Sequence, residues 1–338
     1  MTTLSQCPPW KVLPEDFPAD FPIQAQLKFL LQYAVLAPST KNTQPWRFSI
    51  GENTIGVFAD LTRSQPVADC GRRELYISLG CALENLLVAS EQFAFRHEVT
   101  YFPQSTNEEL AAIVNFHQGG RPSIYRAGIT LASIIARHTE RGSYRDEPVT
   151  EEVRDRLLHC CDTPGLRVDL TDDPRIRSRV VELNLHADEM EFADPAFRKE
   201  LGYWVGQGVF STGTPRLLSR LTGLLLSRVN LGRAIGKRNA ALLSGAPLVG
   251  LISARTDDRT SQVRTGQALE RLWLHATRIG IALQPMSQAL EVPSLRAELA
   301  RVIPESGWIP EQVFRIGYPI RPPEQHTPRR SLDQVVLG

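Results

Sequence analysis

Across these 338 residues no G-x-G-x-x-G turn follows a strand-like run, which argues against a dinucleotide-binding crossover. Gly232-Arg233-Ala234-Ile235-Gly236-Lys237-Arg238 falls one residue short of a P-loop and lacks its Ser or Thr. A serine nucleophile elbow is also missing. The seven histidines form no H-x-x-x-H or H-E-x-x-H pair, so no metal site is expected. Cysteine is scarce: Cys7, Cys70, Cys81, Cys160 and Cys161 show no C-x-x-C spacing and fit reduced thiols, mostly core fillers. There is no charge of one sign in excess, with 38 basic against 37 acidic residues and a net charge of +1. No large field therefore draws the chain to nucleic acid or anionic lipid, and any bound anion must be gripped locally. Aromatic residues are not interleaved with basic runs, which argues against an RNA-binding face. The greasiest segment, Leu217 to Leu231, is interrupted by Arg220 and Arg228 and is too short to cross a bilayer; it reads as an amphipathic helix or helix pair. The first ten residues lack a basic region followed by an apolar run, so no export is expected and the cytoplasm is the expected compartment.

What is present is enough apolar material, 42% of residues, to bury a substantial core in two domains or one two-lobed unit. The most informative stretch is Ala34-Val35-Leu36-Ala37-Pro38-Ser39-Thr40-Lys41-Asn42-Thr43-Gln44-Pro45-Trp46-Arg47-Phe48. Proline supplies no amide proton and biases its predecessor away from helical geometry, so the Pro38-Ser39 step stops the helix that begins near Ile23. Ser39, Thr40, Asn42 and Gln44 then offer short polar side chains at a helix end, and Pro45 to Phe48 alternates into a strand. The segment reads as the rim of a small-molecule site or as an ordinary capped turn.

Gly80-Cys81-Ala82-Leu83-Glu84-Asn85-Leu86 lies over Gly266-Gln267-Ala268-Leu269-Glu270-Arg271-Leu272 with Gly, Ala, Leu, Glu and Leu identical in place. The surroundings repeat too. A helix from about Ile23 to Leu36, strands near 47–50 and 54–59 and the glycine helix are expected in the first half. In the second, a helix over 151–161 behind the Thr150 cap, strands over 167–170 and 248–254, and a glycine helix from Gln262 are expected. The order implies an internal duplication, with two unrelated α+β lobes as the alternative. Residues 191–237, containing Tyr203, Trp204, Phe210 and a leucine-rich run, have no counterpart in the first half and read as a lid or an accessory packing helix.

Arg137-His138-Thr139-Glu140-Arg141 follows an expected helix over 129–136 and places two guanidiniums and a hydroxyl in one turn, a set that suits a phosphate monoester. Arg329 and Arg330 add two cations near the C-terminus. Taken alone, either pair reads as solvated surface charge.

The stretch from Ala37 to Phe48 resembles the APSxxNxQPWxF signature of nitroreductase-fold flavoproteins, and Arg137 to Arg141 resembles that family's RRSxR or RHSxK motif. Together with Thr327-Pro328-Arg329-Arg330 and Asp69-x-Gly71-Arg72-x-Glu74-Leu75, the likeness is closest to the Acg-type branch, single chains that look like a fused dimer. The resemblance implies an α+β nitroreductase-like fold, an internally duplicated pseudo-dimer with central antiparallel sheets flanked by helices. It divides the chain into halves 1–128 and 129–338, the latter with a lid-like insert at about 191–237. It implies one FMN per chain, since residues 14–20, where a first-half copy of the phosphate motif would stand, are acidic and hold no arginine.

By the same matching, Arg137, His138, Thr139 and Arg141 would face the FMN phosphate, ribityl chain and pyrimidine edge, and Arg329 or Arg330 would close the phosphate site. Pro38, Ser39, Thr40 and Asn42 would form one wall. Pro285 and Met286 would line the ring, with a backbone amide of Ser287 or Gln288 at flavin N5, and Asn239 would reach the ribityl chain. The implied activity is an FMN-dependent oxidoreductase passing electrons from an NAD(P)H-type donor to a nitroaromatic or quinone-like acceptor, with no protein acid or base required. The alternative is an FMN-sequestering protein whose lid excludes donors. No nucleic-acid or membrane partner is implied, and the assembly would be a monomeric pseudo-dimer or a homodimer.

Overall fold

The computed structural model describes residues 9–104, 106–209, 216–303, 305–321 and 326–338, so Cys7, the first eight residues and Phe210 lie outside it. The first half opens with α1 (Ile23–Ala34), which buries Leu27, Leu30, Leu31 and Ala34 and ends ahead of Pro38, as expected from that proline. Then come β1 (Trp46–Ile50), β2 (Thr54–Ala59), α2 (Arg73–Gln92), β3 (Phe95–Tyr101) and β4 (Leu110–Gln118). After the short α3 (Leu131–Ala136), the order recurs: α4 (Glu151–His159), capped by the Thr150 hydroxyl, then β5 (Leu166–Thr171), β6 (Leu248–Ala254), α9 (Arg259–Arg278), β7 (Ala282–Pro285) and β8 (Ile309–Gly317). Between β5 and β6 lie α5 (Pro174–Ala193), α6 (Pro195–Gly206), α7 (Arg216–Arg228) and α8 (Gly232–Ser244), and between β7 and β8 lie α10 (Gln288–Glu291) and α11 (Pro293–Ala300).

The architecture is α+β, two four-stranded antiparallel sheets with helices around them. Their strand orders, β1-β2-β4-β3 and β5-β6-β8-β7, are the same order in each repeat. Each sheet also carries a register shift at the same place, at Val57/Phe58 of the second strand in one and at Ile252/Ser253 of its counterpart in the other. What differs is the connection between the first two strands. It is a tight turn in the first repeat and four helices in the second, spanning 174–244 rather than 191–237.

The repeats meet along α2 and α9, each 20 residues long. A β-carbon on Gly80 would overlap the Val263 carbonyl and come within 2.9 Å of Gly266 Cα; one on Gly266 would overlap the Ile77 carbonyl and come within 2.9 Å of Gly80 Cα. The equivalent glycines therefore touch backbone to backbone, as two related copies do where they cross an axis. Both helices are buried in a core that runs through both repeats and includes Trp46, Phe48, Leu83, Trp273, Leu269 and Phe314.

The C-terminal tail belongs to the second repeat in sequence and to the first in space. Phe48 N–H donates to Val335 O at 2.8 Å and Leu337 N–H to Phe48 O at 2.7 Å, extending the first sheet beyond β1. This return carries residues 326–330 across the end of α1.

Candidate functional site: a cavity with a cationic end

The last carbonyls of a helix have no intrahelical partner and carry the negative end of its dipole. At the end of α1 the Leu36 carbonyl accepts from two guanidiniums, Arg137 Nη2 at 3.4 Å and Arg329 Nη2 at 3.1 Å. These arginines, from the end of α3 and from the returning tail, meet although 192 positions separate them. Arg137 is 2% exposed, with its guanidinium 4.6 Å from the Trp273 ring centre and its Nε 3.4 Å from Glu270 Oε1. Arg329 also donates to Asn42 Oδ1 at 3.0 Å and to Thr327 Oγ1 at 2.7 Å.

Hydrogen-bonding capacity is left over, since Arg137 Nε and Nη1 and Arg329 Nε are buried without a hydrogen-bond partner. The two positive charges are only partly compensated by Glu270. Burial, opposed by Glu270, pushes the Arg137 pKa down, and burial together with the neighbouring Arg137 pushes Arg329 well down. Arg141 is lowered by burial and then by Arg137. The one carboxylate behind the pair, Glu270, is itself pushed up by burial to about 7. Buried guanidiniums that repel each other and hold spare N–H groups suit a multivalent anion such as a phosphate monoester.

These groups open into a cavity of about 1150 Å³, above the ~300–1,000 Å³ of ordinary small-molecule pockets. The loop carrying His138, Thr139 and Arg141 forms one side. Thr139 bridges to Leu283 of β7, and the Glu140 amide donates to Leu283 O at 3.3 Å. Buried Arg315 of β8 fastens the loop by donating to Glu140 O at 2.9 Å, Gly142 O at 2.6 Å and Gln284 Oε1 at 2.8 Å.

The facing wall is the loop after α1. Lys41, Asn42 and Gln44 all sit at φ near +50°, a region non-glycine residues seldom occupy, so the surroundings must hold them there. Ser39 Oγ accepts from Gln44 N–H at 2.9 Å, Thr40 Oγ1 donates to Glu74 Oε2 at 2.7 Å, and Asn42 Nδ2 donates to Pro328 O at 3.0 Å. The opposite end is acidic. Asp188 and Glu191 come from α5 and Glu291 from α10; burial raises all three, Asp188 to about 6, and the neighbouring Glu291 raises Glu191 further.

No family model matches the chain. Among curated proteins, "Putative NAD(P)H nitroreductase Rv3131" of Mycobacterium tuberculosis is 28% identical over 337 residues, covering 94% of this chain and 92% of that one. "Putative NAD(P)H nitroreductase acg" of the same organism is 26% identical over 318 residues, covering 91% of this chain and 94% of that one. The likeness is to Acg-type nitroreductases. It runs nearly end to end in both proteins, so it includes the connection between β5 and β6 as well as the repeats.

Most of the residues singled out by the Acg-type resemblance converge on the cavity. Pro38, Ser39, Thr40 and Asn42 line it from the first repeat, as do Arg137, His138, Thr139 and Arg141 from the loop after α3. Asn239 of α8, Pro285, Ser287, Gln288 and Arg329 complete the set, with Asn239 Nδ2 donating to Asp188 Oδ2 at 2.9 Å. Two residues stand elsewhere. Met286 points into the packing between the second sheet and α5, because side chains alternate along β7 and Pro285 takes the cavity side. Arg330 turns from Arg329 to meet Asp60 at 3.3 Å, while its amide donates to Gln44 Oε1 at 2.7 Å; it anchors the tail. The stretch 279–288 contains β7 and the start of α10.

Sequence reasoning missed Arg315 and Glu270. Arg315 sits inside an apolar strand, where a lone arginine is a buried charge in need of partners; Glu270 was noticed only as an identity in the repeat. The repeat also identifies its counterpart, Glu84, whose surroundings are opposite. Arg126 and Arg271 both pair with it at 2.7 Å and hold its carboxyl far below the usual range. On that side the cavity is about 300 Å³, and its Arg126 and Arg271 are satisfied by Glu84, Glu91 and the Cys160 carbonyl. The two equivalent glutamates thus mark one open cationic site and one closed by ion pairs.

Proposed function

We propose that this chain is an FMN-dependent oxidoreductase of the nitroreductase kind that binds one FMN, between repeats spanning 1–128 and 129–338. The observation that carries the reading is the meeting of Arg137 and Arg329 at the Leu36 carbonyl, with buried N–H groups left over at the edge of a cavity large enough for a cofactor and a second molecule. Arg137 and Arg329 would hold the phosphate, with Thr139 and His138 beside it. Arg141 would stand at the ribityl chain or pyrimidine edge, where a cation favours the reduced, anionic ring. Asn239 would contact the ribityl chain, and Pro38, Ser39, Thr40 and Asn42 on one side and Pro285, Ser287 and Gln288 on the other would enclose the ring. FMN, when bound, supplies the electron-transfer chemistry, so the side chains bind, orient and exclude water and none need act as acid or base.

The relatives' names support an NAD(P)H donor, and the acceptor would be a nitroaromatic or quinone-like molecule. A second reading, sequestration of FMN, has its own observation: α5, α6 and α8 place Asp188, Glu191, Phe197, Leu201 and Asn239 on the cavity, so the insert roofs it. Anaerobic addition of NADPH or NADH to the FMN-loaded protein separates the two. Rapid bleaching of the yellow absorbance, with return on adding a quinone, is the expected result; colour that persists with both donors would favour sequestration.

A further inference from the structure

Net charge near zero conceals a segregated segment. Between Glu200 and Asp257 there is no carboxylate, while Arg220 and Arg228 on α7 and Arg233, Lys237 and Arg238 on α8 are exposed. Among the described residues none of these five is ion-paired.

Helix α7 is also turned inside out. The side facing α6 is made of small residues: Ser219 and Gly223 are buried, and a β-carbon on Gly223 would come within 3.1 Å of Gly206 Cα. A β-carbon on Gly202 of α6 would likewise come within 3.0 Å of Ser227 Cβ. The leucines occupy the other side. Leu217 is 70% exposed, Leu221 55% and Leu225 58%, with Leu218 and Leu224 beside them and exposed Tyr203 on α6. At 100° per residue these five leucines fall within one continuous arc opposite the Ser219-Gly223 contact, so the helix packs by close backbone approach and presents its greasy face outward.

We propose that α7, packed on α6, docks on the anionic surface of a phospholipid bilayer, with its leucines entering the headgroup region and Arg220 and Arg228 meeting lipid phosphates. The chemistry selects this occupant. A leucine face flanked by Arg220 and Arg228, with no carboxylate between Glu200 and Asp257, is the composition of an interfacial helix, and cations near an anionic leaflet favour the contact. A second copy would bring the cations of this segment against their own equivalents without a carboxylate from the segment to offset them. No helix among the described residues is long and apolar enough to cross a membrane, so the contact is with the surface.

The test is flotation of the full-length protein with vesicles of pure phosphatidylcholine and with vesicles in which a third of the lipid is phosphatidylglycerol. Wild type should float with the anionic vesicles and stay behind with the neutral ones, and high salt should release it. L221E/L225E, on exposed positions that leave the core intact, should reduce the bound fraction roughly tenfold or more with unchanged near-ultraviolet circular dichroism. Arg220→Glu with Arg228→Glu should weaken binding in the same direction. The proposal is overturned if wild type floats with neither vesicle, if L221E/L225E floats as well as wild type, or if sedimentation velocity shows a dimer that L221E/L225E dissolves while vesicles capture nothing. Each readout is independent of flavin binding.

Discussion

At the scale of single residues, Arg137 is better suited to a ligand than to the fold. Its guanidinium is buried, its pKa is pushed down by that burial, and two of its nitrogens lack hydrogen bonds. Replacing both members of a buried ion pair by uncharged groups of similar size is often neutral or favourable, whereas removing one strands the other. Arg137→Met combined with Glu270→Gln should therefore leave the melting temperature of the FMN-free protein unchanged or raised, while weakening FMN binding by about 1.5–3 kcal/mol, the range for a hydrogen bond to a charged group. Differential scanning fluorimetry and a fluorescence titration check the two halves of this statement.

Glu270 gives a pH signature. Its carboxyl is raised from 4.5 to about 7, chiefly by burial, so the folded chain keeps a proton that the unfolded chain releases. Between those two values stability must fall as pH rises, and above about 7 this contribution levels off, because both states are then ionised. Glu270→Gln should remove that slope, on the order of 3 kcal/mol across the window, in denaturant titrations of the FMN-free protein.

Among the elements, the α2–α9 crossing holds the repeats together. Gly80 and Gly266 are the only residue type that permits it, since a methyl group on either meets a carbonyl of the opposite helix backbone, which cannot swing away. Gly80→Ala should cost at least ~1–3 kcal/mol by overpacking, read as a lower urea midpoint, whereas Gly71→Ala, where a β-carbon has open space, should be nearly silent.

Much of this level was legible in the sequence. The Gly-x-Ala-Leu-Glu match identified both central helices because a glycine needed for backbone contact is not interchangeable. Pro38 marked the end of α1 and Thr150 the start of α4, each through local backbone chemistry. Met286 and Arg330 were assigned by position in a motif, and a strand's alternation or a neighbouring Asp60 reversed their direction, which adjacency in sequence does not reveal. Arg315 escaped notice because its partners are backbone carbonyls of a loop 173 and 175 residues away. The extent of the insert was blurred at both ends, since α5 and α8 continue the same helical pattern beyond 191 and 237.

On the scale of the whole molecule, duplication followed by divergence would leave one cofactor site per chain, as proposed. A symmetric pair of repeats would offer two equivalent grooves beside α2 and α9. Here Glu84 draws Arg126 and Arg271 into closed ion pairs on one side. On the other, Glu270 faces Arg137 at 3.4 Å and the tail adds Arg329, leaving positive charge in excess. The same asymmetry extends to the insert, which roofs only the cationic cavity and turns the leucines of α7 outward.

The measurement closest to the central claim is a calorimetric titration of the FMN-free protein with FMN, on wild type, Arg329→Ala and Arg330→Ala. One FMN per chain, with affinity falling at least about tenfold in Arg329→Ala and little changed in Arg330→Ala, is the expected result. Two sites per chain, no binding to wild type, or equal affinity in wild type and Arg329→Ala would contradict the account.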